Sequence, residues 1–337
     1  MSFRKLFLMA LIAAFSIVAA SCSDDDKDSA TMPTLGAVTF ACPSYAAPGE
    51  SVTFTPSDVE HPDGGEVQYV WKVTPTMKQS CTTKVFTHVF SDTLKTYNVS
   101  CYAVAEGYAG SSSSKDVVVV KGGLDGSMTE TEILPTDKKI TVDGVDYYYE
   151  QIGSLDWFRN NLASAGSGTP YVNEAVMSDV FGRFYSYSEA LEACPEGWRL
   201  PTEDDWMSLA SAVGCEISEK YSIFKDVASK LLVNASFNLS PVLEYWPAVG
   251  NVTNSSKLSF IPFGYANLGD KTIDGKYPYA SFSGRWEYAV MWTADKAADD
   301  DSMAYCRYLL ADQADMLIGK YDVNSFGASV RCVRDAQ

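Results

Sequence analysis

Histidine is nearly missing from this sequence: 337 residues contain two, His61 and His88, and none follows residue 88. Ser-His-Asp and Cys-His nucleophile pairs, and histidine-ligated zinc, are thereby excluded from everything C-terminal of that point. His61, beside Pro62 and Asp63, reads as a turn residue, and His88 reads as a strand residue. Basic residues are also scarce. Lys and Arg number 26 against 43 Asp and Glu, a formal charge of -17 that repels nucleic acid and anionic lipid headgroups. Nucleic-acid functions are therefore set aside. Long apolar runs are limited to Leu6–Ala20, shorter than the roughly 20 residues a membrane-spanning helix needs. Aromatic residues, by contrast, are abundant: 20 Tyr, 16 Phe and 7 Trp.

Arg4 and Lys5 precede that apolar run in the charged-then-apolar order of a secretory signal, here residues 1–21. Val18-Ala19-Ala20-Ser21-Cys22 resembles a bacterial lipoprotein processing site. The resemblance implies that Cys22 is lipidated and becomes the mature first residue. Ser23-Asp24-Asp25-Asp26-Lys27-Asp28 opens an acidic tether over residues 22–33 that has too little apolar surface to fold. Its acidic start is similar to the surface-display signal of Bacteroides-type lipoproteins. Removal of the signal takes away two cations and moves the charge from -17 to -19. The expectation is an outer-membrane protein, lipid-anchored and facing the cell exterior, whose membrane link is the lipid alone.

Residues 34–121 carry short apolar or alternating segments at strand lengths: Val52–Thr55, Val67–Val73, Val85–Phe90, Tyr97–Val104 and Val117–Val120. Turn signals at Pro48-Gly49, Asp63-Gly64-Gly65 and Gly107 separate them. About seven short strands in this length predict an all-β sandwich. Trp71 and Tyr97 resemble the core pattern of Ig-like or PKD-like modules. A linker over 122–131, rich in glycine and poor in apolar residues, leads to a second domain over 132–337.

That domain is organised around Gly182–Leu209. Ser186 with Glu189, and Thr202 with Asp205, have capping-box spacing. They predict one helix running to Cys194 and a second ending at Gly214, with a third over Ile223–Leu232. Strands are expected at Leu258–Tyr265, Tyr288–Thr293, Ala304–Leu310, Met316–Tyr321 and Ser329–Val333. Helices first and strands after make an α+β domain. Gly182-Arg183-Phe184-Tyr185, the run Ala190–Thr202 containing Cys194-Pro195-Glu196-Gly197-Trp198, and Ser329-Val330-Arg331-Cys332-Val333 resemble the Fibrobacter succinogenes major paralogous domain, over roughly residues 140 to 335. The resemblance implies a C-type-lectin-like fold and no settled activity. It also implies a disulfide between Cys194 and Cys332, and elimination then pairs Cys215 with Cys306.

The C-type-lectin-like fold is similar to that of formylglycine-generating enzymes, but no Cys-x-x-x-x-Cys pair is present. Nor does the sequence have the Glu-Pro-Asn, Gln-Pro-Asp or Trp-Asn-Asp motifs of calcium-dependent lectins. No catalytic residue, metal ligand or cofactor is assigned. The aromatic loop Tyr277–Trp286 is the candidate ligand site, through Tyr277, Tyr279, Arg285 and Trp286, because flat rings beside polar groups suit sugar rings or a protein partner. The expected function is capture of an extracellular ligand, foremost a glycan. A protein-binding adhesin or surface-appendage subunit is the alternative, and an enzyme of the formylglycine-generating type the third reading.

Overall fold

The computed structural model describes residues 32–75, 81–91, 95–121, 138–164, 166–218, 220, 222–237 and 244–337. The signal peptide, Cys22, nearly all of the tether and the 122–131 linker lie outside the described residues.

The N-terminal unit has six described strands: β1 (Tyr45–Ala46), β2 (Ser51–Phe54), β3 (Gln68–Thr74), β4 (Phe86–Val89), β5 (Thr96–Val104) and β6 (Ser111–Val119). They form one sheet of order β1-β6-β5-β3 and a two-stranded sheet β2-β4. Alternation sets the inner face. Tyr97, Val99, Cys101 and Ala103 of β5 are buried, and Trp71 of β3 sits opposite Cys101. The Trp71 ring meets Phe54 and Phe86 of the smaller sheet at 5.9 and 5.6 Å between centroids, which joins the two layers.

Beyond it, β7 (Lys139–Val142), β8 (Val145–Ile152) and β9 (Leu155–Phe158) form a meander. The short strands β10 (Thr169–Pro170) and β11 (Arg183–Phe184) flank helix α1 (Val176–Phe181). Helices α2 (Tyr187–Ala193) and α3 (Glu203–Ala212) follow, then β12 (Ile217–Ser218), β13 (Ile223–Phe224) and the one-turn α4 (Ala228–Leu231). The remaining strands are β14 (Tyr265–Asn267), β15 (Ser281–Ser283), β16 (Tyr288–Lys296), β17 (Met303–Leu310), β18 (Met316–Asp322), β19 (Phe326–Gly327) and β20 (Val333–Asp335). Three main sheets result, ordered β12-β13-β18-β17-β16, β15-β14-β19 and β20-β9-β8-β7. The last strand thus closes against β9. Both expected capping boxes are present, Ser186 with Glu189 and Thr202 with Asp205.

The expected α+β, C-type-lectin-like architecture is overturned. The protein is mostly β-sheet, 40% strand against 11% helix, and among the described residues no distinct α+β C-type-lectin-like domain stands apart. The β7–β9 meander precedes every helix, so helices do not come first. The helix expected over Ile223–Leu232 is split: Phe224 pairs with Met316 of β18, and Asp226 adopts φ 51, a left-handed conformation that stops helical propagation. Only Ala228–Leu231 is helical there. Apolar spacing over so short a run fits both periods, and sheet pairing decided it.

Candidate functional site

Cys194, capping α2, and Cys332, just before β20, form the expected disulfide. Cys215 and Cys306 do not pair with each other. Both are free thiols, as are Cys42, Cys81 and Cys101. Cys306 is fully buried and lies opposite Trp292 in the sheet, whereas Cys215 follows α3 and accepts from the Lys230 ammonium at 3.6 Å. Burial raises both thiols, the reverse of the depression that makes a cysteine nucleophilic. Among the described residues the buried His88 Nε2 has no partner, and its ring packs on Phe90 of the N-terminal unit at 5.0 Å.

The four expected ligand residues are placed in different surroundings. Tyr277 is 4% exposed and donates to Glu189 Oε2 at 3.0 Å. Glu189, itself buried, also takes Lys271 Nζ at 2.7 Å and the Ser186 amide at 3.0 Å. Burial alone would raise this carboxyl; bonds from Lys271, Ser186 and Tyr277 outweigh it and hold the group below its ordinary value. One buried carboxylate thus ties the loop between β14 and β15 to the start of α2. Thr272 closes the loop tip, its amide and hydroxyl meeting the Lys276 carbonyl at 2.8 and 3.0 Å. What the anchored loop presents is Ile273, 109% exposed, and Tyr279, 81% exposed.

Arg285 faces the N-terminal unit, whereas Trp286 packs on rings of the C-terminal half. Arg285 donates to the Tyr45 hydroxyl and lies over the rings of Tyr171 and Trp286, at 5.2 and 5.1 Å. Trp286 packs on Phe181, Phe237 and Tyr245. At the same junction Glu174 accepts the Ser44 and Tyr45 amides at 2.6 and 2.7 Å. Tyr45, Val118 and Val120 join the core of the C-terminal half, so the N-terminal unit is docked as well as tethered.

A second aromatic surface escaped the sequence reading. Tyr288 of β16, Tyr308 of β17, Tyr321 of β18 and Tyr265 of β14 are each half-buried. Their rings link in a row through Phe326 of β19: Tyr308 to Tyr288 at 6.4 Å, Tyr288 to Tyr265 at 5.9 Å, Tyr265 to Phe326 at 5.4 Å and Phe326 to Tyr321 at 4.1 Å. Two glycines make room. A Cβ on Gly284 would come within 2.7 Å of Tyr288 and 3.0 Å of Tyr265, and one on Gly319 within 2.8 Å of Tyr321. Among the described residues none of the four hydroxyls has a hydrogen-bond partner, and none is sealed from water. Asn267, Ser281 and Ser283, all exposed, occupy the same face of the adjoining sheet by register. Burial first, then Tyr308, the buried Cys306, Tyr265 and Tyr288, push the Tyr321 hydroxyl well above its ordinary value. Among the described residues no group of three or more His, Cys, Asp or Glu side chains could hold a metal ion.

The profile of the Fibrobacter succinogenes major domain matches residues 151–334, more than half of the chain. The chain belongs to that family. The signature residues of this Fibrobacter succinogenes major domain serve its interior. Arg331 is 2% exposed, lies over Phe260 at 4.1 Å, and donates to Asn161 Oδ1 and to the carbonyls of Arg159 and Leu258, each at 2.6 Å. Burial lowers its guanidinium to about 9. Trp198 packs on Phe158 at 4.3 Å, and Trp292 donates to the Tyr185 carbonyl at 2.7 Å. No curated protein matches the chain. Among solved structures, a carbohydrate-binding module of the β-sandwich superfamily is similar at 14% identity, over 42% of this chain and 70% of the module, with TM-score 0.27. The Yersinia pseudotuberculosis adhesin InvE is similar at 10% identity, over 89% of this chain and 70% of the adhesin, with TM-score 0.22. At such TM-scores neither likeness decides this domain's fold or function.

Proposed function

We propose that this protein is a surface lipoprotein that captures an extracellular glycan through its C-terminal domain, acting by binding and not by catalysis. The tyrosine row carries the reading. Sugar rings offer apolar C–H faces ringed by hydroxyls, and four accessible phenols beside Asn267, Ser281 and Ser283 offer rings to stack on and partners for those hydroxyls. Signal cleavage before Cys22 and lipidation of its sulfur would place the site outside the cell on the outer membrane. No helix of the described residues is long and apolar enough to cross a membrane.

The protein-partner reading has its own observation: Ile273 and Tyr279, exposed on a loop that Glu189 holds still, make a preformed apolar contact. Retention of the whole chain on immobilised plant and host glycans, with chelator present, separates the two. Chelator-resistant retention supports glycan capture. No retention on any glycan, together with crosslinking of Tyr279 loop variants to a cell-surface protein, supports the adhesin reading.

A further inference from the structure

Resting on the glycan reading, we infer that the tyrosine patch takes a neutral saccharide and discriminates against sialylated, sulfated or uronate-bearing ones. An anionic sugar is held by a cation that reaches it with donors to spare. The basic side chains of the segments bordering the patch are committed elsewhere. Lys320 pairs with Asp299, Lys271 with Glu189 at 2.7 Å, and Lys276 with Asp274 at 2.9 Å. Arg307 projects from the opposite face of β17 to Glu203, and Arg285 is spent on Tyr45 at the junction.

What the patch presents is uncharged. By strand register, Tyr288, Tyr308 and Tyr321 share a face with Gly319 and with the buried Val290, Trp292, Ala304 and Cys306, none of them Asp, Glu, Lys or Arg. Asp322, next to Tyr321, is turned into its own loop, accepting the Asn324 and Ser325 amides at 3.0 and 2.8 Å. Glu287, next to Tyr288, is exposed and adds negative charge to the rim. The formal charge of -17 repels an anionic ligand at longer range as well. Binding energy must then come from ring stacking and neutral hydrogen bonds, which salt screens little.

The patch is also compact. The ring of Tyr321 lies back over Gly319 and stacks on Phe326 at 4.1 Å, and Tyr265 stacks on the same phenyl ring at 5.4 Å. A terminal sugar or a short stretch of chain fits such a cluster better than a long strand laid along a groove. Each phenol can both donate and accept, so the four together match the mixed donor and acceptor pattern of vicinal sugar hydroxyls.

The test measures binding of the whole chain to neutral probes (mannan, xylan and cello-oligosaccharides) and to anionic probes (sialyllactose, heparin fragments and polygalacturonate), at 50 and 500 mM salt. Tyr308→Ala removes a ring and its hydroxyl, and Tyr308→Phe keeps the ring. The expected result is retention of at least one neutral probe that is unchanged by salt, falls about tenfold or more in Tyr308→Ala, and is partly kept in Tyr308→Phe, with both variants melting near the parent. Preferential, salt-sensitive retention of an anionic probe would overturn neutral selectivity and leave glycan capture standing. Neutral retention untouched by either variant would overturn the placement at this patch. Binding to none of the six probes would overturn the glycan reading itself, and this inference with it.

Discussion

The ring of Tyr321 lies over the α-carbon of Gly319, so close that a methyl group there would come within 2.8 Å of its Cε2. Gly319 stands in mid-strand opposite Cys306, where a side chain would otherwise stabilise the sheet. Its bareness lets the ring lie flat and stack on Phe326 at 4.1 Å. Gly319→Ala should therefore displace Tyr321 and weaken glycan retention by about tenfold, or ~1.4 kcal/mol. The fold should lose about 1 kcal/mol, read as a melting shift of roughly 2–4 °C. A variant that keeps full retention would show that the flat pose of Tyr321 is irrelevant to binding.

Glu189 makes the loop between β14 and β15 pH-sensitive. Its folded value is held below its ordinary 4.5, so its contribution is fully present above pH 4.5 and is lost as pH falls through the folded value. Proteolysis around Ile273 should accelerate in the parent as pH falls below 4.5 and through the folded value, measured against its rate at neutral pH. In Glu189→Gln the fast cleavage should already be present at neutral pH, with a flatter pH profile.

Glu174 holds Ser44 and Tyr45 by two charge-assisted bonds across the junction. Truncation to Ala leaves both amides without that acceptor, at a cost of about 1–3 kcal/mol. Calorimetry should then resolve two transitions where the parent shows one. A single unchanged transition in Glu174→Ala would show that the shared core around Tyr45, Val118 and Val120 couples the halves without this contact.

The Cys194–Cys332 bond closes a separation of 138 residues, for which chain-entropy arithmetic gives an upper stabilisation of ~4–5 kcal/mol. Reduction, or Cys194→Ala, should lower the melting temperature by roughly 8 °C or more. Thiol titration of the unfolded, unreduced protein should report Cys42, Cys81, Cys101, Cys215 and Cys306 as free. Loss of signal at Cys215 and Cys306 together would reinstate the pairing that the structure removes.

Local chemistry made part of this molecule legible. Ser186 and Thr202 announced their helices because capping is decided within four residues, and Cys194 with Cys332 followed from a family likeness dense in signature residues. The five-stranded sheet was half visible, since β16, β17 and β18 each carry a run of apolar or alternating residues. The β7–β9 meander, the break at Asp226 and the docking of Tyr45 depend on partners more than a hundred residues away, or on pairing that local periodicity cannot express. The surroundings of the expected site residues were illegible for a related reason. A cluster of aromatics in one loop drew notice to Arg285, which the fold places at the junction, and to Trp286, which packs on Phe237. Tyr265, Tyr288, Tyr308 and Tyr321 are spread over 57 positions and meet only when three strands of one sheet pack beside a strand of the adjoining sheet.

The most direct measurement is of the tyrosine rings themselves. With the whole chain labelled at tyrosine ring carbons, and resonances assigned by single Tyr→Phe variants, a neutral oligosaccharide retained in the panel is titrated in and shifts are followed by NMR. Saturable shifts at Tyr265, Tyr288, Tyr308 and Tyr321 sharing one dissociation constant, with Tyr279 unmoved, are the predicted result. Shifts confined to Tyr279, or none at any tyrosine while the sugar still binds, would contradict glycan capture at this face.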